Sequence, residues 1–294
     1  MSLDPNQLAA LTAILRTGSF DQAASELGVT SSAISQRLKM LEDHVGATLV
    51  VRGSPADATP FGRRLAKHAE DVGLLEAQLA RDLFPPQKTG LTALRIALPA
   101  DSLGTWVIPA LAAVRGLTFD LVIDDQDHSA DWLRRGDVSA AITAHGKPVT
   151  GYDSFALGSL RYVATASPTF FETWFAQGLT PEAFGRAPMM TFSQKDKLQS
   201  RWIKAVCGRR TVPPSHVLPS TQAFVDGALA GLGWGMNPIA LVQTHITAGR
   251  LVLMAPSTPL DTPLYWQVSR IMAEALSPLT SVIRSDARTK LIQP

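Results

Sequence analysis

Residues 30–45 hold the side chains whose types and spacing most clearly suggest chemistry. Ile34, Leu38, Leu41 and Val45 recur at intervals of 4, 3 and 4 and so share one buried face of a helix. The opposite side presents Ser32, Ser35, Gln36 and Lys39, with Arg37 beside them. Small hydroxyls, an amide and cations at helical pitch suit base edges and phosphates in a DNA major groove. Thr30 can cap this helix, Ser31 opens it, and Arg52 adds a cation on a following hairpin. Between residues 28 and 68, six basic side chains (Arg37, Lys39, Arg52, Arg63, Arg64, Lys67) stand against three acidic ones (Glu42, Asp43, Asp57), whereas the whole chain is only +2. The positive charge is therefore concentrated where the polar helix lies.

Catalytic chemistry is not spelled in the same way. No G-x-S-x-G elbow, Walker loop, H-E-x-x-H or G-x-G-x-x-G follows a predicted strand, and Gly231-Leu232-Gly233 lacks the third glycine. The histidines His44, His68, His128, His145, His216 and His245 are scattered without pairing. Cys207 has no second cysteine to bond and no partner at metal-ligand spacing, and its helical neighbours Trp202 to Val206 mark it as packing. The expectation is no catalytic residue, no metal and no cofactor. No apolar run approaches the ~18 residues of a membrane span, and Asp4, Asn6 and Gln7 interrupt any export signal. A cytoplasmic, nucleoid-associated protein is expected.

The elements that must position these residues follow from periodicity. Leu8, Leu11 and Leu15 mark a first helix ending at Gly18. Ser19 and Gln22 form a capping box for a short second helix that buries Phe20, Ala23, Ala24 and Leu27 and stops at Gly28. The polar-faced third helix comes next. Strands at Thr48–Arg52 and near Ala58-Thr59, divided by the turn-forming Gly53 to Asp57, make a wing. From Phe61 to Leu83 there is no proline, and Leu65, Ala69, Val72, Leu75, Leu79 and Leu83 form an apolar stripe. A lone helix cannot bury that stripe, so dimerisation is expected, with packing on the chain's own body as the alternative. Pro85 to Gly90 reads as a hinge.

Phe20-Asp21-Gln22-Ala23-Ala24-Ser25-Glu26-Leu27, then Val29-Thr30-Ser31-Ser32-Ala33-Ile34-Ser35-Gln36-Arg37-Leu38-Lys39-Met40-Leu41-Glu42, continuing through Gly46, Leu49, Arg52, Thr59 and Gly62, resembles the DNA-binding motif of LysR-type regulators. Ser31 stands where the family usually has glutamine, a change bearing on base preference. Val51 stands where it usually has phenylalanine, a change in packing. The resemblance implies an α/β protein: a winged helix-turn-helix over residues 1–60, a linker helix and hinge over 61–90, and a two-lobed, periplasmic-binding-protein-like effector domain over 91–294. Lobe I would take about 91–160 and 266–294, and lobe II about 161–265. The implied DNA-contacting set is Thr30, Ser31, Ser32, Ser35, Gln36, Arg37, Lys39, Arg52 and Thr59. Implied partners are double-stranded promoter DNA, a small effector, and a second copy of the chain through the linker helix, with tetramers usual in the family; RNA polymerase is a further candidate.

The remaining two hundred residues alternate strands and helices. Strands are predicted at Leu91–Leu98, Leu117–Ile123 and Val138–Thr143, with helices at Leu103–Val114 and Asp131–Arg135. Such alternation implies a mainly parallel sheet binding ligand beyond the carboxyl ends of its strands. A second lobe should begin near Leu160 to Thr165 and include Pro188 to Phe192, a helix through Leu198 to Val206 and another from Ser220-Thr221 to Ala230, before Leu264 to Val268 crosses back. Ala100-Asp101-Ser102-Leu103, Thr105-Trp106, Leu133 to Val138, Ala223-Phe224-Val225 and Leu264-Tyr265-Trp266 resemble the family branch responsive to basic amino acids, that of ArgP. Ser193 to Lys197 departs from it, being basic where the branch tends to be acidic.

A lysine or arginine effector needs anions for its cations and helix-terminal donors for its carboxylate. On that ground the candidates are Asp101 and Ser102 after the first strand, Asp124 with Asp125 after the second, Thr143 after the third, and Ser220 and Thr221 opening a helix in the second lobe, with Phe192 nearby. Phe192 and Trp106 read first as core. Two other readings were an α/β hydrolytic enzyme, opposed by the missing motifs, and a free-standing solute-binding module, opposed by the missing export signal.

Overall fold

The computed structural model describes residues 3–83, 91–124 and 129–293. Three helices open the chain: α1 (Pro5–Thr17), α2 (Phe20–Leu27) and α3 (Ser31–Val45). Asp4 caps α1 by accepting from the amides of Asn6 and Gln7, and Thr30 caps α3 by accepting from Ala33 N at 3.2 Å. Gly18, Gly28 and Gly46 close the three helices in the left-handed conformation. The expected capping box is half formed. Ser19 Oγ accepts from Gln22 N at 3.4 Å, but the Ser19 amide donates to Thr17 Oγ1 instead of to Gln22.

The three helices share a core of Leu8, Leu11, Ile14, Ala23, Ala24, Ile34, Leu38 and Leu41. A short hairpin follows, β1 (Val50–Val51) antiparallel to β2 (Asp57–Ala58). These strands are shorter than the spacing predicts, and Val51 is exposed, so its replacement of a bulky aromatic repacks nothing. Helix α4 (Pro60–Leu83) leaves the hairpin at Gly62, where a Cβ would lie 1.9 Å from Leu49 O. Only glycine permits that approach.

The stripe on α4 divides. Leu65 and Ala69 pack against the N-terminal core, whereas Leu75, Leu79 and Leu83 stay exposed. The opposite face, centred on Leu74, enters the core of the C-terminal domain. A helix advancing 100° per residue can serve two bodies in this way. The expected hinge over Pro85 to Gly90 lies outside the described residues.

The C-terminal domain is built on β3 (Thr92–Pro99), β4 (Leu117–Asp124), β5 (Ala140–Thr143), β6 (Tyr152–Ala166), β7 (Met189–Thr191), β8 (Ser215–Val217), β9 (Gly235–Pro238), β10 (Val252–Leu253) and β11 (Leu260–Ser269). Its helices are α5 (Ala100–Ser102), a π turn (Leu103–Val107), α6 (Ile108–Ala112), α7 (Ser129–Arg135), α8 (Pro168–Phe175), α9 (Pro181–Arg186), α10 (Leu198–Cys207), α11 (Thr221–Leu229), α12 (Ile239–Thr247) and α13 (Ser277–Lys290).

The expected mainly parallel sheet is mixed. β3 pairs in parallel with β4 and β5, while β11 runs antiparallel to β5 and β6, and β6 antiparallel to β9 and β10. The sequence breaks placed at 160/161 and 265/266 fall inside single strands. β6 and β11 run unbroken through both positions and pair with each other from Leu260↔Tyr162 to Ser269↔Tyr152. A two-residue periodicity cannot reveal that a strand serves two lobes. The second lobe is filled by aromatic rings, including Phe184 edge-on to Trp202 at 5.8 Å and to Trp234 at 5.2 Å. Such pairs add about 0.5–1.5 kcal/mol each beyond burial.

Candidate nucleic-acid interface and ligand cleft

On α3 the buried Ile34, Leu38 and Leu41 fix which side faces outward. Ser32, Gln36 and Lys39 are exposed on that outward side, 130–190° around the helix from the core face at 100° per residue. Ser35 and Arg37 are half-buried and fall on opposite flanks. Thr30 and Ser32 exchange a hydroxyl bond at 2.9 Å, and Ser31 Oγ donates to Asp21 Oδ1 at 2.5 Å, tying the start of α3 to α2. Arg52 lies with its guanidinium 5.4 Å from the Phe20 ring centroid, a cation–π contact that holds the wing against α2. Thr59 is occupied at the base of α4: its hydroxyl donates to Thr48 O at 2.8 Å and accepts from Gly62 N at 3.1 Å.

A cleft opens in the C-terminal domain, lined on one side by Pro99, Ala100, Asp101 and Asp124 and on the other by Phe192, Asp196, Gln199, Thr221, Phe224 and Asn237. The end of β3 delivers Asp101, the end of β4 delivers Asp124, and α10, α11 and β9 supply the facing wall. Asp101 accepts from Tyr162 Oη and from Thr221 Oγ1, each at 2.6 Å. The second bond joins the two walls. Asp124 accepts from Trp132 Nε1 at 2.9 Å. Asp196 accepts from the amides of Phe192 and Leu198, at 3.0 and 2.9 Å, and so closes the turn entering α10. Three carboxylates thus border one cleft, an arrangement that favours a cation.

Of the residues proposed from sequence, Asp101, Asp124, Phe192 and Thr221 come together here. Ser102, Thr143 and Ser220 do not line the cleft. Ser102 is fully buried. Thr143 accepts from Gln267 Nε2 at 3.1 Å and donates to His145 O at 3.0 Å. Ser220 caps α11 by accepting from Ala223 N at 3.3 Å. Asp125 lies outside the described residues.

Sequence reasoning missed Asp196, Gln199 and Asn237. The basic run around 195–197 hid the first: Lys195 and Lys197 are exposed, whereas Asp196 between them faces the cleft. The signal available was the Asp two residues before a helix, the usual place of a turn-closing carboxylate. Cys207 is inert by environment, because burial raises its thiol pKa despite Arg209, and its Sγ–H meets Leu179 O at 3.3 Å. Among the described residues no group of three His, Cys, Asp or Glu could hold a metal, and no helix is long and apolar enough to cross a membrane.

Between the helical region and the cleft lies a polar joint. Lys67 Nζ meets Asp71 Oδ1 at 2.5 Å on α4, and Ser139 Oγ, at the head of β5, donates to the same carboxylate at 3.1 Å. Glu70, one residue away, faces Arg95 and Asp120, themselves paired at 3.1 Å. Burial pushes the Glu70 carboxyl from 4.5 up to about 7, against the pull of Lys67 and Arg95.

The family model for the bacterial regulatory helix-turn-helix protein, lysR family, matches residues 5–63. That for the LysR substrate binding domain matches residues 90–287. The HTH-type transcriptional regulator ArgP of Pseudomonas aeruginosa is 38% identical over 294 residues, covering 99% of this chain and 98% of that protein. The crystal structure of ArgP from Mycobacterium tuberculosis is 36% identical, with TM-score 0.80 and full coverage of both chains. Full-length LysG from Corynebacterium glutamicum with bound effector Arg is 35% identical, with TM-score 0.64, covering 99% of this chain and 100% of that one. The polar-faced α3, the winged hairpin, the linker helix and the cleft domain are therefore parts of one known architecture: the chain belongs to the LysR family and is an effector-tuned, DNA-binding transcription regulator, not an enzyme.

Proposed function

We propose that this regulator senses a basic amino acid, lysine or arginine, in the cleft between its lobes and adjusts promoter binding accordingly, as a control on amino-acid export or metabolism. The observation that carries the reading is the cleft's three carboxylates, Asp101, Asp124 and Asp196, facing one another from both walls. The C. glutamicum relative with bound Arg supports the same ligand class. The ligand's carboxylate would lie toward the start of α11, where the first backbone amides supply donors.

On the DNA side, Ser32, Gln36 and Lys39 would enter the major groove, with Ser35 and Arg37 on its flanks toward the phosphates and Arg52 on the wing. Thr30 and Ser31 would shape the start of the helix, and Thr59 would hold the wing to α4. The exposed Leu75, Leu79 and Leu83 give α4 a face suited to a second copy of the chain. A dimer doubles the phosphate contacts and reads two half-sites about one helical turn apart. Tetramers, contact with RNA polymerase and a cytoplasmic, nucleoid-associated location belong to the same reading. An effector changes DNA binding only through unequal affinity for two conformations. Isothermal titration of the full chain with lysine and arginine, paired with gel shifts at the promoter, tests this. Absence of binding by both amino acids with DNA binding intact would remove the effector assignment alone.

A further inference from the structure

Two acceptors in the cleft wall have no donor among the described residues: Gln199 Oε1 and Asn237 Oδ1. Their side chains are 1% and 0% exposed, and both residues line the cleft. A buried amide oxygen left unpaired costs free energy, and proteins keep such groups where something else completes them.

The orientation of Gln199 is determined by its neighbour. Its amide nitrogen donates to Met190 O at 2.8 Å, and a carbonyl can only accept. Flipping the amide would set two acceptors against each other, so the oxygen is the atom left over. Asn237 is anchored differently, its Nδ2 donating to Thr165 Oγ1 at 3.0 Å in the floor of β9 and β6, a hydroxyl that can also donate, so this bond fixes the place of the side chain but not which end of the amide is left over. Both side chains are therefore anchored in a wall that already carries Asp196, Gln199 with its oxygen fixed as the free acceptor. Carboxylates attract any cation, and point charge alone does not separate an ammonium or guanidinium from a hydrated metal ion. Fixed neutral acceptors add direction.

We propose that Gln199 and Asn237 are the specificity-determining residues of the cleft, accepting N–H bonds from the effector so that a ligand rich in N–H donors is preferred over one of equal length ending in carbon. This rests on the reading of the cleft as a basic-amino-acid site. It assigns the lobe II wall to hydrogen-bond selection, while the aspartates supply the electrostatic attraction. A neutral isostere of lysine such as L-2-aminoheptanoic acid leaves both oxygens unpaired, and a site built to bond a group rejects the analogue that lacks it.

The test uses the purified full-length protein and isothermal titration with L-arginine, L-lysine and L-2-aminoheptanoic acid. Gln199→Met and Asn237→Val remove one acceptor each and should weaken arginine or lysine binding about tenfold or more. They should also narrow the preference for lysine over 2-aminoheptanoic acid. Asn237→Asp keeps an acceptor and lets the Thr165 hydroxyl reverse to donate, so it should hold arginine within about threefold of the parent or more tightly. Should the apolar variants misfold by circular dichroism, the Asp variant still decides, since a large loss of arginine affinity there overturns the assignment. Folded Gln199→Met and Asn237→Val proteins with unchanged affinity and selectivity would overturn it while leaving the effector class standing. Failure of the parent protein to bind either basic amino acid would remove both.

Discussion

Replacing Glu70 with glutamine should stabilise the protein at alkaline pH and do little at acid pH. The carboxyl sits between α4 and the sheet with Lys67 and Asp71 on its own helix, Arg95 on β3 and Asp120 on β4, and burial raises it from 4.5 to about 7. The folded chain therefore keeps a proton on Glu70 across a pH range in which the unfolded chain releases it. Stability from this group is fully present below pH 4.5, falls as pH rises toward 7, and stays lost above that. A shift from 4.5 to about 7 corresponds to roughly 3 kcal/mol, and partial solvent access reduces the usable figure to about 1–3 kcal/mol. For a chain of this size that is on the order of 3–6 °C in melting temperature. Melting curves of parent and Glu70→Gln at pH 5 and pH 8 should coincide within about a degree at the lower pH and separate by that amount at the higher. Every other titrating group is common to both proteins, so the difference between the profiles reports Glu70. Parallel profiles, or a variant that melts lower than the parent at pH 8, would refute the account of the joint.

Three further outcomes follow from the same geometry. Lys39→Ala and Arg37→Ala should each weaken promoter binding and reduce the steepness of its salt dependence by about one phosphate contact, while Gln36→Ala should relax base preference at one position; gel shifts across a salt series separate the two effects. Leu79→Glu, on a side chain 57% exposed in the single chain, should lower the oligomeric state in sedimentation without unfolding the monomer. Gly62→Ala places a methyl 1.9 Å from Leu49 O and should cost on the order of 1–3 kcal/mol in thermal unfolding, with DNA affinity falling as the wing is displaced.

The N-terminal helical region was legible because its signals are local. Caps at Ser19 and Thr30, glycines at 18 and 28, and an apolar face at Ile34, Leu38 and Leu41 each act within one or two helical turns. The linker stripe was legible as apolar, but not the opposite face at Leu74 that docks on the sheet, since one leucine among charges makes no pattern. The cleft was legible at Asp101, Asp124, Phe192 and Thr221, which stand at strand ends or a helix start. It was illegible at Gln199 and Asn237, which meet across dozens of residues and carry no periodicity, while the turn-closing signal of Asp196 was masked by the lysines on either side. Ser102, Thr143 and Ser220 show the converse: a polar residue at an element's end is as readily used by the backbone or core beside it as by a ligand.

The pairing of β6 with β11 bears on how such a domain can move. Two strands crossing side by side, stitched by ladder bonds, form a leaf spring and not a pin joint: stiff to sliding and to twist, compliant mainly to flexing out of the ribbon plane. The register shifts once along that ribbon, between Leu264 and Tyr265, where Leu157 bulges without an opposite number beside Gly158 at φ +120°. Compliance concentrates where the ladder is broken, so flexing of this ribbon would be centred on the bulge. Helices attached to either half of the ribbon would then turn about that one irregular residue pair.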